Sequence, residues 1–219
     1  PDAGIWLRGA VHHKGKLGYI EGMNVSVVNL SSFYTETRTT GSGGGFSFRL
    51  QPNEQYEVLF EKEGLFSMSV PTRTIGVKQG VIDLNEAVDL AFEPILIGQP
   101  LLFKYQRWEQ NSANLDPVAK TELDALADRM IVNPALQIEV AVHSDARGDL
   151  ASELKLSQKR ADAIGAYLRS KGVVKERLVA KGYGATRLLN HCAPGVSCTE
   201  AEHSENRRTE YVVTGVATQ

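Results

Sequence analysis

The chain has 219 residues, 42% of them hydrophobic and 23% charged, an ordinary globular composition with room for one large domain or two small ones. Its formal net charge of -2 gives it no bulk attraction for nucleic acid or an anionic membrane surface. No apolar run reaches the roughly eighteen residues needed to span a bilayer as a helix, and the opening PDAGIW has neither a basic nor an apolar leader segment, so it reads as a processed form or a fragment.

From residue 4 to about residue 90 the pattern is that of an all-β sandwich. GAVHH, NVSVVNL, FYTETRTT, GFSFRL and YEVLFEKEG are short alternating or β-branched runs. The turn-forming segments KGKLG, the glycine cluster at 41–45 and QPNEQ separate them. LNEAVDL is the one hint of helix. His12-His13 has no partner at metal-ligand spacing and reads as an exposed strand pair, and the glycine cluster lacks the lysine and helix of a phosphate loop.

VDLAFEPILIGQP is the expected junction between a domain over 1–92 and a second over 93–219. Asp116-Pro117 is a helix start, with a capping acceptor followed by a proline at the first helical position. Leu123, Leu126, Ala127, Met130 and Ile131 then recur at helical spacing until Asn133-Pro134. LQIEVAV alternates and predicts a half-buried strand. A long helix is expected over 150–171, ending at Gly172, and RLVAKGY and TEYVVTG are further strands. Alternating strands and helices predict an α+β domain, a βαβαβ sandwich with its helices packed on one face of a mixed sheet.

The only cysteines, Cys192 and Cys198, flank a turn-like APGVS. A disulfide suits this spacing and would place the chain in an oxidising compartment. A free thiol pair, or a metal site with His191 and His203, are the alternatives. The ligand spacing matches no standard zinc pattern, so no metal or cofactor is assigned. No nucleophile–base motif is present either, so the chain is read as a non-enzyme.

The segment with the most chemical content is IEVAVHSDARGDLASELKLSQKRA. It sets Asp145 just past a strand and Arg160 fifteen residues on, inside a helix. A carboxylate can take an ammonium group and a guanidinium a carboxylate, so the pair suits a zwitterion. His143-Ser144-Asp145, Leu156-Ser157 with Arg160-Ala161, Gly182-Tyr183-Gly184 and Asn206-Arg207-Arg208 follow in the order found in OmpA-like C-terminal domains. Residues from about 95 to 213 resemble that family, which binds the diaminopimelate of peptidoglycan stem peptides.

The resemblance implies that Asp145 accepts the ligand ammonium and that Arg160 holds its carboxylate. His143, Ser144 and the backbone from Ala146 onward would form the ligand turn, and Leu156 would supply an apolar wall. Asn206 and Arg208 would lie near the site, whereas Arg207 is read as structural. Glu153 replaces the family's asparagine. The run Phe103-Lys104-Tyr105-Gln106-Arg107-Trp108 aligns with the family's first strand but lacks its acids, so Lys104 would repel an ammonium. Arg147-Gly148-Asp149 spells an integrin-type tripeptide, but here it is part of the ligand turn and chance accounts for the match.

Residues 42–56, SGGGFSFRLQPNEQY, resemble carboxypeptidase regulatory-like domains, which are transthyretin-like sandwiches and accessory modules. The two resemblances together imply a periplasmic location at the outer membrane and cell wall. They also imply partners among outer-membrane or secretion-system proteins, such as those of type IX secretion. A protein–protein scaffold without peptidoglycan binding is the alternative.

Overall fold

Strand β1 (Ile5–Ala10) turns Ile5 and Leu7 inward and Arg8 to solvent, the two-residue period of a sheet with one covered face. The same period builds β3 (Asn24–Asn29), β5 (Gly45–Leu50) and β6 (Gln55–Glu61). The computed structural model describes residues 4–104 and 108–217, and the chain divides between Ile95 and Leu96 into two units.

The first unit is mostly β. It also contains β2 (His12–His13), β4 (Thr35–Thr39), β7 (Met68–Arg73), β8 (Gly80–Asp83), one helical turn α1 (Leu84–Ala87) and β9 (Ala91–Phe92). One sheet has the order β5-β1-β8, another β4-β3-β6-β7, and β2 pairs with β9. Leu7 and Phe48 of the first sheet and Val25, Val58 and Phe60 of the second belong to one buried cluster. Phe60 is its hub, with ring centroids 5.4 Å from Phe46 and 5.7 Å from Phe92.

β7 and β8 escape the sequence pattern, as does the two-residue β9 within the expected junction. β7 contains Pro71, which cannot donate to a ladder, and it is tolerated because β7 pairs only with β6, as the outer strand of its sheet. β8 is four residues long and pairs in parallel with β1, too short to show a period. The tyrosine closing the 42–56 pattern has a mechanical role. Tyr56 is buried, and its hydroxyl accepts the Gln51 backbone N–H at 2.8 Å, fastening the β5–β6 turn.

The second unit contains β10 (Pro100–Leu102), α2 (Pro117–Val132), β11 (Leu136–His143), α3 (Leu150–Ser170), a 3-10 turn (Lys175–Arg177), β12 (Leu178–Gly184), α4 (Glu200–Asn206) and β13 (Thr209–Val216). Its sheet has the order β10-β13-β11-β12, parallel between β11 and β12 and antiparallel elsewhere. Asp116 caps α2 by accepting the Val118 N–H at 2.7 Å, with Pro117 opening the helix. At its far end Arg177 donates to the carbonyls of Met130 and Asn133. α3 lies across β11 and β12, α2 packs against α3, and no helix among the described residues is long and apolar enough to cross a membrane.

Several expectations need correction. Ile131 is not in the core; it is about half exposed on α2. β11 is half-buried only at its start, because Ala141 and His143 on its second face are covered as well. The first strand of this unit is Pro100–Leu102 rather than the run from Phe103. Phe103 still donates its N–H to Thr209, but Lys104 lies in a bend with its N–H on Glu122. Tyr105, Gln106 and Arg107 of that run lie outside the described residues.

Replacing Tyr56 by Phe leaves the ring in place and removes the bond to Gln51. We expect a loss of about 1 kcal/mol in the stability of the first unit, measured by urea unfolding. An unchanged midpoint would show that the turn does not need the hydroxyl.

Candidate functional site

The site forms where β11 ends. His143 donates its backbone N–H to the Arg208 carbonyl and Ser144 its own to Gly184, so the turn is held between β13 and β12. Ser144 turns its hydroxyl onto the Asp145 carbonyl. Ser144, Asp145 and Ala146 are all buried, with Asp145 only 8% exposed. Asp149 closes the turn and caps α3 by accepting the Ser152 N–H at 2.8 Å.

A carboxylate this enclosed must be paired. Asp145 Oδ1 accepts the backbone N–H of Arg147 at 3.1 Å. Oδ2 accepts from Arg147 Nη2 at 2.8 Å and Nε at 3.2 Å, and from Arg207 Nη1 at 2.5 Å. Burial alone would raise the Asp145 pKa, but the bonds from Arg147 and Arg207 outweigh it and hold it at about 2. Both guanidiniums also reach Glu200 at the start of α4, Arg147 Nη1 to Oε2 at 2.6 Å and Arg207 Nη2 to Oε1 at 2.5 Å. Two carboxylates and two guanidiniums thus alternate in a closed ring.

Arg160 sits on α3. Its Nε donates to the Ser112 carbonyl at 2.8 Å and its Nη2 to the Glu109 carbonyl at 3.0 Å. The guanidinium lies 5.2 Å from the Trp108 ring centroid. Burial lowers its pKa, opposed by the charge of Glu153, and it stays a cation at any ordinary pH. Arg160 therefore staples the 108–112 segment to the helix, and it makes no ion pair with Asp145 in this state.

The remaining motif residues act as supports. Gly182 faces α3 so closely that a Cβ there would lie 2.1 Å from the Gln158 backbone nitrogen, so only glycine lets the helix approach the strand. Ser157, buried under that contact, accepts the Gly184 N–H at 2.9 Å and donates to the Leu154 carbonyl. Leu156 is half-buried on α3. His143 has no exposed side-chain surface and stacks on Tyr183 at 5.3 Å, with Nε2 3.2 Å from Glu210. Burial pushes its pKa down, the Arg208 charge pushes it further, and Glu210 opposes both. The guanidinium of Arg187 also lies over the Tyr183 ring, 3.6 Å from its centroid.

Three of the expected site residues have their side chains occupied within the protein. His143 is enclosed and packs beneath the turn. Asn206 is fully buried and spends its amide on Leu189 N–H at 2.7 Å and on Asn190 at 2.7 Å, so it ties a loop. Arg208, only 10% exposed, bonds Glu210 and the Arg187 carbonyl, while Arg207 is the one that meets Asp145. Arg207, with φ -79° and ψ 84°, sits at the centre of a tight turn in which the Arg208 N–H bonds the Asn206 carbonyl at 3.0 Å, and the two neighbouring arginines meet different partners. From sequence, Arg147 is set aside within the tripeptide and Glu200 is given no role. Arg147 had a legible signal, two residues after an aspartate in a tight turn, and Glu200 is the first helical residue inside the capping box Thr199-x-x-Glu202 that opens α4.

Cys192 and Cys198 are joined by a disulfide with Cα atoms 6.0 Å apart. His191 lies beside them, with Nε2 3.7 Å from Cys198 Sγ. With both sulfurs bonded to each other, neither is a thiolate that could ligate a metal alongside it, and His203 is not in that group.

A family profile described as the OmpA family matches residues 107–202. The chain is 30% identical over 155 residues to the peptidoglycan-associated lipoprotein of Buchnera aphidicola, a match covering 68% of this chain and 84% of that protein. It is 36% identical over 104 residues to outer membrane porin F of Pseudomonas fluorescens, covering 48% of this chain and 30% of the relative. The crystal structure of the peptidoglycan-associated lipoprotein from Burkholderia pseudomallei aligns at 24% identity with a TM-score of 0.43, over 52% of this chain and 87% of that one. The chain spans only 30% of the length of porin F and 38% of outer membrane protein P5 of Haemophilus influenzae.

The buried charges set a pH dependence. Asp145 titrates at about 2 when folded against a reference of 3.8, so its pairing stabilises above about pH 4 and is lost as pH falls towards 2. His143 is also depressed when folded, so unfolding takes up a proton once pH drops below its reference of 6.5. The urea midpoint of the second unit, followed by amide signals of β11 and β12, is expected to fall in two steps, below pH 6.5 and again below pH 4. Asp145→Asn should abolish the lower step at a cost of about 1–2 kcal/mol at pH 7, discounted for the exposure of both arginines. A midpoint flat from pH 7 to 4.5 would contradict the enclosure of a neutral His143.

Proposed function

The chain belongs to the OmpA family, and from that premise we propose that it binds peptidoglycan non-covalently through the diaminopimelate of the peptide stem. It works at the periplasmic face of the outer membrane and cell wall, as a binding protein rather than a catalyst. One observation carries the reading, an almost fully buried and ionised Asp145 at a strand exit, with acceptor capacity left on Oδ1. The ammonium of diaminopimelate would bind this carboxylate and the adjoining carboxylate would bind Arg160, drawing it from the carbonyls of Ser112 and Glu109. Similarity to a protein named for its association with peptidoglycan supports the anchoring role.

On this reading the first unit is a carboxypeptidase regulatory-like sandwich, supported by the Tyr56 fastening of its β5–β6 turn. It would act as a spacer or as a docking module for outer-membrane or secretion-system proteins. A pairing of these two domain types is similar to the peptidoglycan-anchoring component of type IX secretion. One feature favours the alternative of a scaffold that has lost its ligand. Asp145 is already paired with Arg147 and Arg207, and Arg160 with backbone carbonyls. Saturable binding of a diaminopimelate-containing muropeptide separates the two readings.

Removing one side of a buried charged contact costs about 2–5 kcal/mol of binding. Asp145→Asn and Arg160→Gln should therefore stay folded and sediment with purified sacculi at least about 30-fold more weakly than the unaltered chain. Unchanged sedimentation of both variants would reject this site.

A further inference from the structure

Asp145 and Glu200 play unequal parts in the charge ring. Asp145 is 11% exposed at its side chain and Glu200 66%. The buried carboxylate needs both arginines, whereas the exposed one would be well solvated without them. Yet Glu200 is held with care. The disulfide ends at Cys198, and Thr199 and Glu202 close a reciprocal capping box around the next residues. Glu200 then gives one oxygen to each guanidinium, Oε2 to Arg147 and Oε1 to Arg207. This is the manner in which a two-arginine clamp receives a carboxylate from outside.

We infer that Arg147 and Arg207 form a second carboxylate subsite, which the Glu200 side chain fills in the free protein and surrenders to a carboxylate of the bound ligand. The inference rests on the peptidoglycan reading of the same site. That reading places the ammonium and carboxylate of one end of diaminopimelate on Asp145 and Arg160. The subsite beside Asp145 then takes a further carboxylate, the free C-terminal one of a stem that ends in diaminopimelate. Swapping one carboxylate for another leaves the charge balance of the ring intact. Glu200 in this way keeps the arginines turned towards Asp145 when no ligand is present, and it excludes anions that bring no ammonium to hold them.

Two consequences follow for specificity. Stems trimmed to diaminopimelate are preferred over stems whose corresponding carboxyl is amidated or extended. Binding also weakens with salt, because the exchange occurs between exposed charges.

The test uses the full chain and a synthetic tripeptide stem, L-alanyl-γ-D-glutamyl-diaminopimelate, with and without amidation of its C-terminal carboxyl, titrated by calorimetry. Glu200→Gln keeps the side-chain shape and empties the clamp of charge. It should bind the free-carboxylate tripeptide about 3- to 10-fold more tightly than the unaltered chain and leave the amidated form unchanged. Glu200→Asp, too short to bridge both guanidiniums, should show a smaller gain of the same sign and serves as the second variant if the first does not fold. In a parallel measurement, acetate should perturb the Nε–H signals of Arg147 and Arg207 at lower concentration in Glu200→Gln than in the unaltered chain. If the unaltered chain binds both tripeptides and neither variant changes the free-carboxylate affinity, or both forms gain alike, the subsite is wrong while the peptidoglycan reading stands. If no form of the chain binds either tripeptide, that reading fails and the subsite fails with it.

Discussion

A carboxylate buried at the exit of a strand is the constraint from which the rest of the second unit follows. Left unpaired, Asp145 would cost several kcal/mol or take up a proton. It is satisfied by Arg147 from its own turn and by Arg207, sixty-two residues along the chain. That second partner draws the end of α4 and the start of β13 to the turn between β11 and α3. The 186–191 loop is gathered by buried Asn206, and the start of α4 is steadied by the disulfide just before it. The elements are ordered so that one ionised side chain can stay inside the protein's surface.

The same region needs α3 close to β12. Gly182 allows the approach, Ser157 satisfies the Gly184 N–H beneath it, and Gln158 bonds both Gly182 N–H and the Ala180 carbonyl. Seating the helix at that height fixes where Arg160 emerges. The motif residues around the site thus act at two levels. Asp145, Arg160, Arg147 and Arg207 present charge, while Ser157, Gly182, His143 and Asn206 set the distances between those charges.

The sequence made the alternation of strands and helices in the second unit legible because the periods are long and the caps are explicit. Asp116-Pro117 and Gly172 bound helices that the structure ends at Val132 and Ser170. Asp145 and Arg160 were legible through the motif around them. What the ring does with Asp145 was not, because it depends on which way two neighbouring arginines point after a short helix. Arg207 and Arg208 are equivalent on paper, and the tight turn centred on Arg207 as the chain leaves α4 decides between them. β7 was hidden by Pro71, which is harmless only on an outer strand, a property of topology rather than of local pattern. The burial of His143 likewise depends on Tyr183 of the neighbouring strand, a contact that no local spacing encodes.

The most direct measurement is a crystal structure of the chain with a diaminopimelate-containing stem peptide. The account predicts the ligand's ammonium nitrogen at hydrogen-bond distance from the Asp145 carboxylate, its neighbouring carboxylate on Arg160, and the carbonyls of Ser112 and Glu109 released. A ligand seated elsewhere, with Asp145 and Arg160 keeping their present partners, would contradict it.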